Sequence, residues 1–570
     1  MDPTNIIDKL NQTLEHAPGL INGPLYSMSQ KQLGELYFHK GNNLEACYYF
    51  SESHAVCLRL LGLLDKARNE VGEKSDSSEK LSFHSHFARE GVNGMLKRLE
   101  EMPPEWTIIQ LTRAVDPNEY FSIRQPNYSP KLKDFFLTRF PCGNELKKSI
   151  PVCTKLSWPE DAIGDLIQSF LNIKEKLGQR KGTSAHIQKM RNEASSDVER
   201  LCREIGPMCF KEWSCLTLGK LMNKALEEEI REAVDKRIGN ANISIRQRYL
   251  CYLIGEGSCH LENGDIEVAL YQVFEGNETL AVSVLECLIR IKETLESRLH
   301  VAARHPVLLV LDDHFDNISW ECTPLLKRHP VSRVFSLHVA HALFTSHKDH
   351  IKGGLREINE SEVCYYVVNP DGNLPSVEEH IPKFFRKRFP QWVGIIGKKP
   401  TEEELIKALT ESNTYVYCGH GSGSQYIASE RIQRLKVKPL QMLFGCSSVA
   451  LKDLGGHTEM YGDVMEFAIA CSGCTLGMLW PVTCHDTDRI TMVLANICLP
   501  GTPVDTNTFE EVQGKAKKEP ELLRAMRQVR ECVNLFSNGA ALIARGIPIK
   551  LVPDKTTTSS DFSSDTSESK

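Results

Sequence analysis

The sequence predicts an α-helical N-terminal region followed by an α/β domain with a mostly parallel sheet. Two observations carry this. Over the first 300 residues, apolar positions recur at helical spacing through 33–64, 161–177 and 268–299, with no long strand-like alternation. From Pro306 onward, strand-length apolar runs at 307–311, 364–368, 415–418, 440–444 and 475–480 alternate with helical stretches at 377–388, 401–410, 429–435 and 461–470. Such alternation argues for parallel strands covered by helices on both faces.

Taken in order, the first region holds a tetratricopeptide-type hairpin over Leu33-Gly34, Tyr37, Gly41-Asn42, Ala46 and Phe50. Small Gly34 and Ala46 let two antiparallel helices approach, and Gly41-Asn42 makes the turn. A looser copy starts at Ile254-Gly255, with Asn263-Gly264 as its turn and Ala269 in its second helix. Two ordinary hairpins in an irregular bundle account for these residues equally well. Segments 73–80 and 179–196 read as loosely ordered, and the Ser/Thr-rich tail 554–570 as disordered. The expected organisation is a helical region 1–300, an α/β domain 301–553, and the tail.

Composition narrows the function classes. The 68 basic and 74 acidic residues nearly cancel, so neither nucleic acid nor an anionic membrane is an expected partner. No stretch approaches the ~20 apolar residues of a membrane span. The first eleven residues lack the basic and apolar regions of a signal peptide. The 19 scattered cysteines are therefore expected to be free thiols in a soluble, reducing compartment. Cys471, Cys474, Cys484 and His485 are poorly spaced for zinc, and no metal or cofactor is expected. The basic run Lys383–Arg388, with two phenylalanines, reads as the charged face of an amphipathic helix.

Chemistry concentrates at two strand ends. The run 415–418 leads into Gly419-His420-Gly421-Ser422-Gly423, and 440–444 leads into Gly445-Cys446-Ser447-Ser448. One crossover helix fits between them, so both ends emerge at one carboxyl edge, where ligands of open α/β folds bind. A thiol attacks a carbonyl as thiolate, and a nearby imidazole takes its proton and returns it to the leaving amine. Glycine beside each residue tolerates unusual backbone angles and lets substrate approach the main chain. The N–H groups of Gly421 and Cys446 are the candidate oxyanion hole.

These two runs, Tyr417 to Tyr426 and Leu443 to Ser448, resemble the signature of separases. Further blocks agree in order: Leu311-Asp312, Trp320-Glu321, Pro330-Val331-Ser332-Arg333, Val368-Asn369-Pro370, Trp392 and Gly394-Ile395-Ile396-Gly397. The resemblance covers about 306–551. It implies a caspase-like protease domain with His420 and Cys446 as catalytic dyad. It implies cleavage of the cohesin kleisin at anaphase, after arginine in an acidic-x-x-Arg context, in cytoplasm and nucleus, on chromosomes or spindle. It also implies inhibition by securin, which fills the active site as a pseudosubstrate and binds along the helical region 1–300, the part that also holds partners.

An arginine pocket needs a carboxylate. By position Asp488 is the first choice and Asp486 the reserve, although either suits a helix N-terminus equally. The family usually carries Asp where Pro481 and Cys484 stand, which alters the acidic wall. Most separases have longer helical regions, so a separate helical subunit is expected, as in some insect enzymes. Asp197-Val198-Glu199-Arg200 fits a self-cleavage site. Two other readings remain: a caspase-like protease acting on another protein, and an inactive scaffold.

Overall fold

The computed structural model describes residues 3–16, 23–63, 91–115, 134–143, 148–158, 162–179, 181–359, 364–454, 459–500 and 517–553. The segment 73–80 and the tail from Asp554 lie outside them. The strands are β1 (Thr107–Arg113), β2 (Asp134–Pro141), β3 (Val152–Ser157), β4 (Val307–Leu311), β5 (Val331–Arg333), β6 (Ile351–Lys352), β7 (Leu355–Asn359), β8 (Tyr365–Val368), β9 (Val393–Ile396), β10 (Thr414–Cys418), β11 (Leu440–Leu443), β12 (Cys474–Met478), β13 (Leu542–Gly546) and β14 (Ile549–Val552). Among the described residues one sheet of eleven strands has the order β3-β2-β1-β4-β5-β13-β12-β11-β10-β8-β9, and β14-β7-β6 form a small second sheet.

The half of the large sheet that matters for chemistry is parallel. β12, β11, β10, β8 and β9 all run the same way, and β13 is antiparallel to β12. Residues of β10 alternate between two cores. Tyr415 and Tyr417 pack with Leu405 and Leu409, while Val416 and Cys418 join the larger core with Val377 and Ile490. Both faces are thus covered, as a parallel sheet requires.

The first 300 residues are mostly helical, as expected, but they also contribute β1, β2 and β3, which extend the sheet. β1 pairs parallel to β4, with Thr107 opposite Val307 and Leu111 opposite Leu311. These strands are buried on both faces (Phe135, Phe136 and Leu137 are all core), so they show no period of two. Short runs of this kind cannot be told from buried helix by periodicity alone. β5, β6, β7, β9, β13 and β14 also lay outside the five anticipated runs.

The segment 179–196 is likewise not loose. Most of it belongs to the helix Ser184–Phe210, capped by Thr183 Oγ1, which accepts from the His186 N–H at 3.3 Å. Its polar face is solvated and carries i,i+4 pairs such as Gln188–Asn192, while Ala194, Val198, Leu201 and Ile205 bury the other face. Arg200 sits inside this helix, paired with Glu204 at 3.1 Å. Cleavage there requires the helix to unwind.

The first hairpin forms as the small residues foretell. Gly23–His39 packs on Asn43–Glu52 across the turn at Gly41. A Cβ at Gly34 would lie 2.7 Å from a ring carbon of Phe50. Gly34→Ala gains up to ~1 kcal/mol of helix propensity but overpacks the interface by roughly 1–3 kcal/mol. The expected net result is a lower denaturation midpoint; a raised midpoint would mean that the helices part freely.

Buried ions fasten the sheet to the site. Arg333, 1% exposed, binds Glu321 through two bonds of 2.7 Å. Asp316 takes Arg545 at 2.9 and 2.5 Å, and Arg545 Nε donates to the Val449 carbonyl at 2.9 Å. Val449 follows Cys446 by three residues. The loop bearing the thiol is therefore held by a fully paired buried network, the kind in which removing one partner is costly.

Candidate active site

β10 and β11 are parallel neighbours, with Tyr417 opposite Leu443. Both loops that leave them emerge at the same edge. Beyond that edge lies a cleft of about 340 Å³ whose walls include His420, Cys446, Phe444, Cys484, Asp488 and Arg191.

The histidine loop is stapled from below and from the side. Tyr417 Oη and Gln425 Nε2 both donate to the His420 carbonyl, at 2.8 and 2.9 Å. The hydroxyls of Ser422 and Ser424 each donate to Asp463 Oδ2 at 2.6 Å. Gly421 and Gly423 occupy the left-handed region (φ +65° and +85°), which lets the chain turn sharply after His420. His420 Nε2 lies 2.9 Å from Asn373 Oδ1.

The thiol loop is equally constrained. Cys446 Sγ is 3.6 Å from the Val482 carbonyl. Ser448 Oγ donates to the Leu443 carbonyl at 2.6 Å and accepts from the Met478 N–H at 3.0 Å, tying the loop to β12. Ser447 has φ +55°, a conformation costly for a residue with a Cβ. Ser447→Gly should raise stability by about 1 kcal/mol in a denaturant titration; an unchanged or lowered midpoint would show that the serine is unstrained there.

Gly445 has a different role from the one its sequence context suggests. Its φ is ordinary. A Cβ there would overlap the Gly421 carbonyl oxygen and lie 2.7 Å from that of Gly419. The two loops touch backbone to backbone, so this glycine serves loop contact rather than substrate approach. Gly421 itself is not part of the cleft wall; Gly419, His420 and Cys446 are.

The two aspartates separate cleanly. Asp488 faces the cleft, is 4% exposed, and is raised by burial to about 7, with His380 Nδ1 at 3.9 Å. Thr483 caps the helix Cys484–Cys498, its Oγ1 accepting from the Asp486 N–H at 3.3 Å, while the Asp486 carboxylate accepts from Asn534 N at 3.2 Å and Asn538 Nδ2 at 2.6 Å. That carboxylate is spent on structure and does not line the cleft. Of the two unusual positions, Pro481 lies against Gly178 at the end of the helix Ala162–Gly178. Cys484 lines the cleft, its thiol pushed up by burial. Asp488 thus stands as the acidic wall without a neighbour at 484.

Sequence reasoning missed Gln179, Ile187 and Arg191, which line the cleft from the helical region, and Asn373. The first three fell in a segment too polar to read as structure. Asn373 had a signal, since it lies three residues after the block Val368-Asn369-Pro370.

The model of the family described as "Separin, protease domain" matches residues 172–487, more than half of the chain. The chain belongs to the separin family. It is 33% identical to mouse separin over 251 residues, covering 43% of this chain and 11% of that protein. It is 30% identical to separin of Emericella nidulans over 270 residues, 46% of this chain and 13% of the relative. The chain thus matches only a small part of these separins' length. Crystal structures of the Saccharomyces cerevisiae separase–securin complex share the fold over 96% and 97% of this chain and 38% of theirs, with TM-scores of 0.68 and 0.69 at 19% and 18% identity. The helical N-terminal region followed by an α/β domain is separase architecture, and most of the α/β domain falls within the match to the separin protease domain.

Proposed function

We propose that this separin-family chain is a cysteine endopeptidase that cleaves a cohesin kleisin after arginine in an acidic-x-x-Arg context, releasing sister chromatids at anaphase. The observation that carries this reading is one cleft holding a thiol, an imidazole and a buried carboxyl: Cys446, His420 and Asp488. His420 takes the thiol proton as Sγ adds to the scissile carbonyl. The Cys446 N–H stabilises the oxyanion, whereas Gly421, the second donor expected from sequence, stands outside the cleft wall. His420 then protonates the leaving amine, and water, deprotonated by His420, hydrolyses the acyl-enzyme. Asp488 pairs with the guanidinium of the residue before the scissile bond.

A securin-type inhibitor fits the same cleft as a pseudosubstrate. The wall supplied by Gln179, Ile187 and Arg191 supports an inhibitor that spans both the helical region and the catalytic domain. This reading carries with it a location in cytoplasm and nucleus, on chromosomes or spindle during mitosis, and a separate helical subunit as a further partner.

The test co-expresses the chain with candidate helical partners and offers a kleisin and its arginine-to-alanine variant. Cleavage of the first alone, abolished by Cys446→Ser, is expected. Cleavage of both, or of neither while another protein is cut, would hand the function to a different substrate. Cleavage that survives Cys446→Ser would remove the nucleophile assignment.

A further inference from the structure

We propose that Asn373 is a positioning residue of the site: its side-chain carbonyl holds the His420 ring with the hydrogen on Nε2, leaving Nδ1 as the base. This rests on the peptidase reading of Cys446. An imidazole on a loop is useful as a base only if its tautomer and ring plane are fixed, and the partner of its second nitrogen fixes both. Asn373 Oδ1 accepts from His420 Nε2 at 2.9 Å. A carboxamide oxygen cannot donate, so the contact assigns the ring hydrogen to Nε2. Because the amide is neutral, it orients the ring without holding it protonated.

The loop that offers Asn373 is built for the task. Asn369 lies in the left-handed region (φ +50°) at the end of β8, and its N–H donates to the Cys418 carbonyl at 2.9 Å, two residues before His420. Its Oδ1 accepts from the Leu374 N–H at 2.8 Å, and its Nδ2 donates to Glu378 Oε2 at 2.6 Å. Gly372 N–H closes the turn on the Asn369 carbonyl at 3.1 Å. One asparagine thus ties the loop to the strand that carries the histidine, and a second, four residues on, reaches the ring. Asn373 is exposed, and no backbone group of its own loop bonds its side chain among the described residues. A purely structural asparagine would ordinarily bond its own turn. Leu374 and Val377, the next residues along, line the cleft, so substrate would seat on the segment that orients the base.

The experiment uses the full chain with any co-purifying partner, and two readouts. One is cleavage of an arginine substrate; the other is the rate of Cys446 alkylation by iodoacetamide from about pH 5.5 to about pH 9, which reports the thiol–imidazole pair without substrate. Asn373→Ala should lower kcat about 10–100-fold with KM nearly unchanged and flatten the alkylation profile. Asn373→Asp should keep most of the rate but move the acidic limb of both profiles to higher pH, because a carboxylate favours the imidazolium. An Asn373→Ala protein with wild-type kcat and alkylation profile would overturn the proposal. So would an Asn373→Asp protein that behaves like Asn373→Ala, since the amide nitrogen would then be the contact. A change in thermal midpoint alone, with both profiles intact, would make Asn373 structural and overturn it as well. If the wild-type chain cleaves nothing, the alkylation profiles still decide the role of Asn373, and the failure belongs to the peptidase reading.

Discussion

Asp488→Asn is expected to lower kcat/KM for arginine substrates by about a thousandfold and, in the same protein, to raise stability above neutral pH. The two effects share one cause. Burial raises the Asp488 carboxyl to about 7, from 3.8. In the unfolded chain this group is ionised above about pH 4; in the folded chain it stays protonated until about pH 7. Stability therefore falls as pH rises from about 4 to about 7, and the deficit then stays constant. Three pKa units correspond to a deficit of about 4 kcal/mol. Asparagine keeps the shape and removes the charge, so its advantage grows through that window and is full above it. An arginine side chain in the cleft repays the deficit by pairing with the carboxylate. Binding should release a proton, and KM for arginine substrates should fall as pH rises through about 7 and then level. Substrates with an uncharged residue in place of arginine should lack this limb. An Asp488→Asn enzyme that keeps its preference for arginine would move the pocket elsewhere in the cleft, since Asp486 is already committed to Asn534 and Asn538.

The contrast between those two aspartates shows what sequence could and could not tell. Both follow the fifth anticipated strand, and both suit a helix N-terminus. Only the turn of the helix decides which one bonds Asn534 and Asn538 and which one faces the cleft, and two residues apart on a helix means roughly opposite sides. The parallel strands behind the site were legible because β10 and β11 are short apolar runs broken by Gly-flanked polar residues. β1, β2 and β3 were not, because burial on both faces removes the alternation that marks a strand. The wall from the helix Ser184–Phe210 was hidden for the opposite reason. Its outer face is so polar that composition spoke louder than the spacing of Ala194, Val198 and Leu201.

Gly445→Ala should reduce cleavage at least about 100-fold while leaving the protein folded. The added Cβ would meet the Gly421 carbonyl oxygen and come within 2.7 Å of the Gly419 oxygen. Neither is a flexible side-chain end that can swing away, so the loops must part. The thiol loop cannot retreat easily, because Ser448 bonds β11 and β12 and Arg545 grips Val449. The histidine loop, pinned by Tyr417 and Gln425 at the His420 carbonyl, is no freer. A displacement of about 1 Å between reacting groups costs on the order of a hundredfold in rate, whereas overpacking of this kind costs roughly 1–3 kcal/mol of stability. Activity should thus fall much further than the melting temperature. Gly421→Ala is the matched control. Its φ of +65° makes alanine strained, but the nearest atom to its Cβ is Gln425 Oε1 at 3.8 Å. That variant should lose about 1–2 kcal/mol of stability with the loops still in contact, and so should retain far more activity. If the two variants lose activity equally, conformational strain rather than loop contact sets the geometry of His420 and Cys446. If Gly445→Ala cleaves normally, the two loops are free to separate, and the distance between thiol and imidazole is set elsewhere.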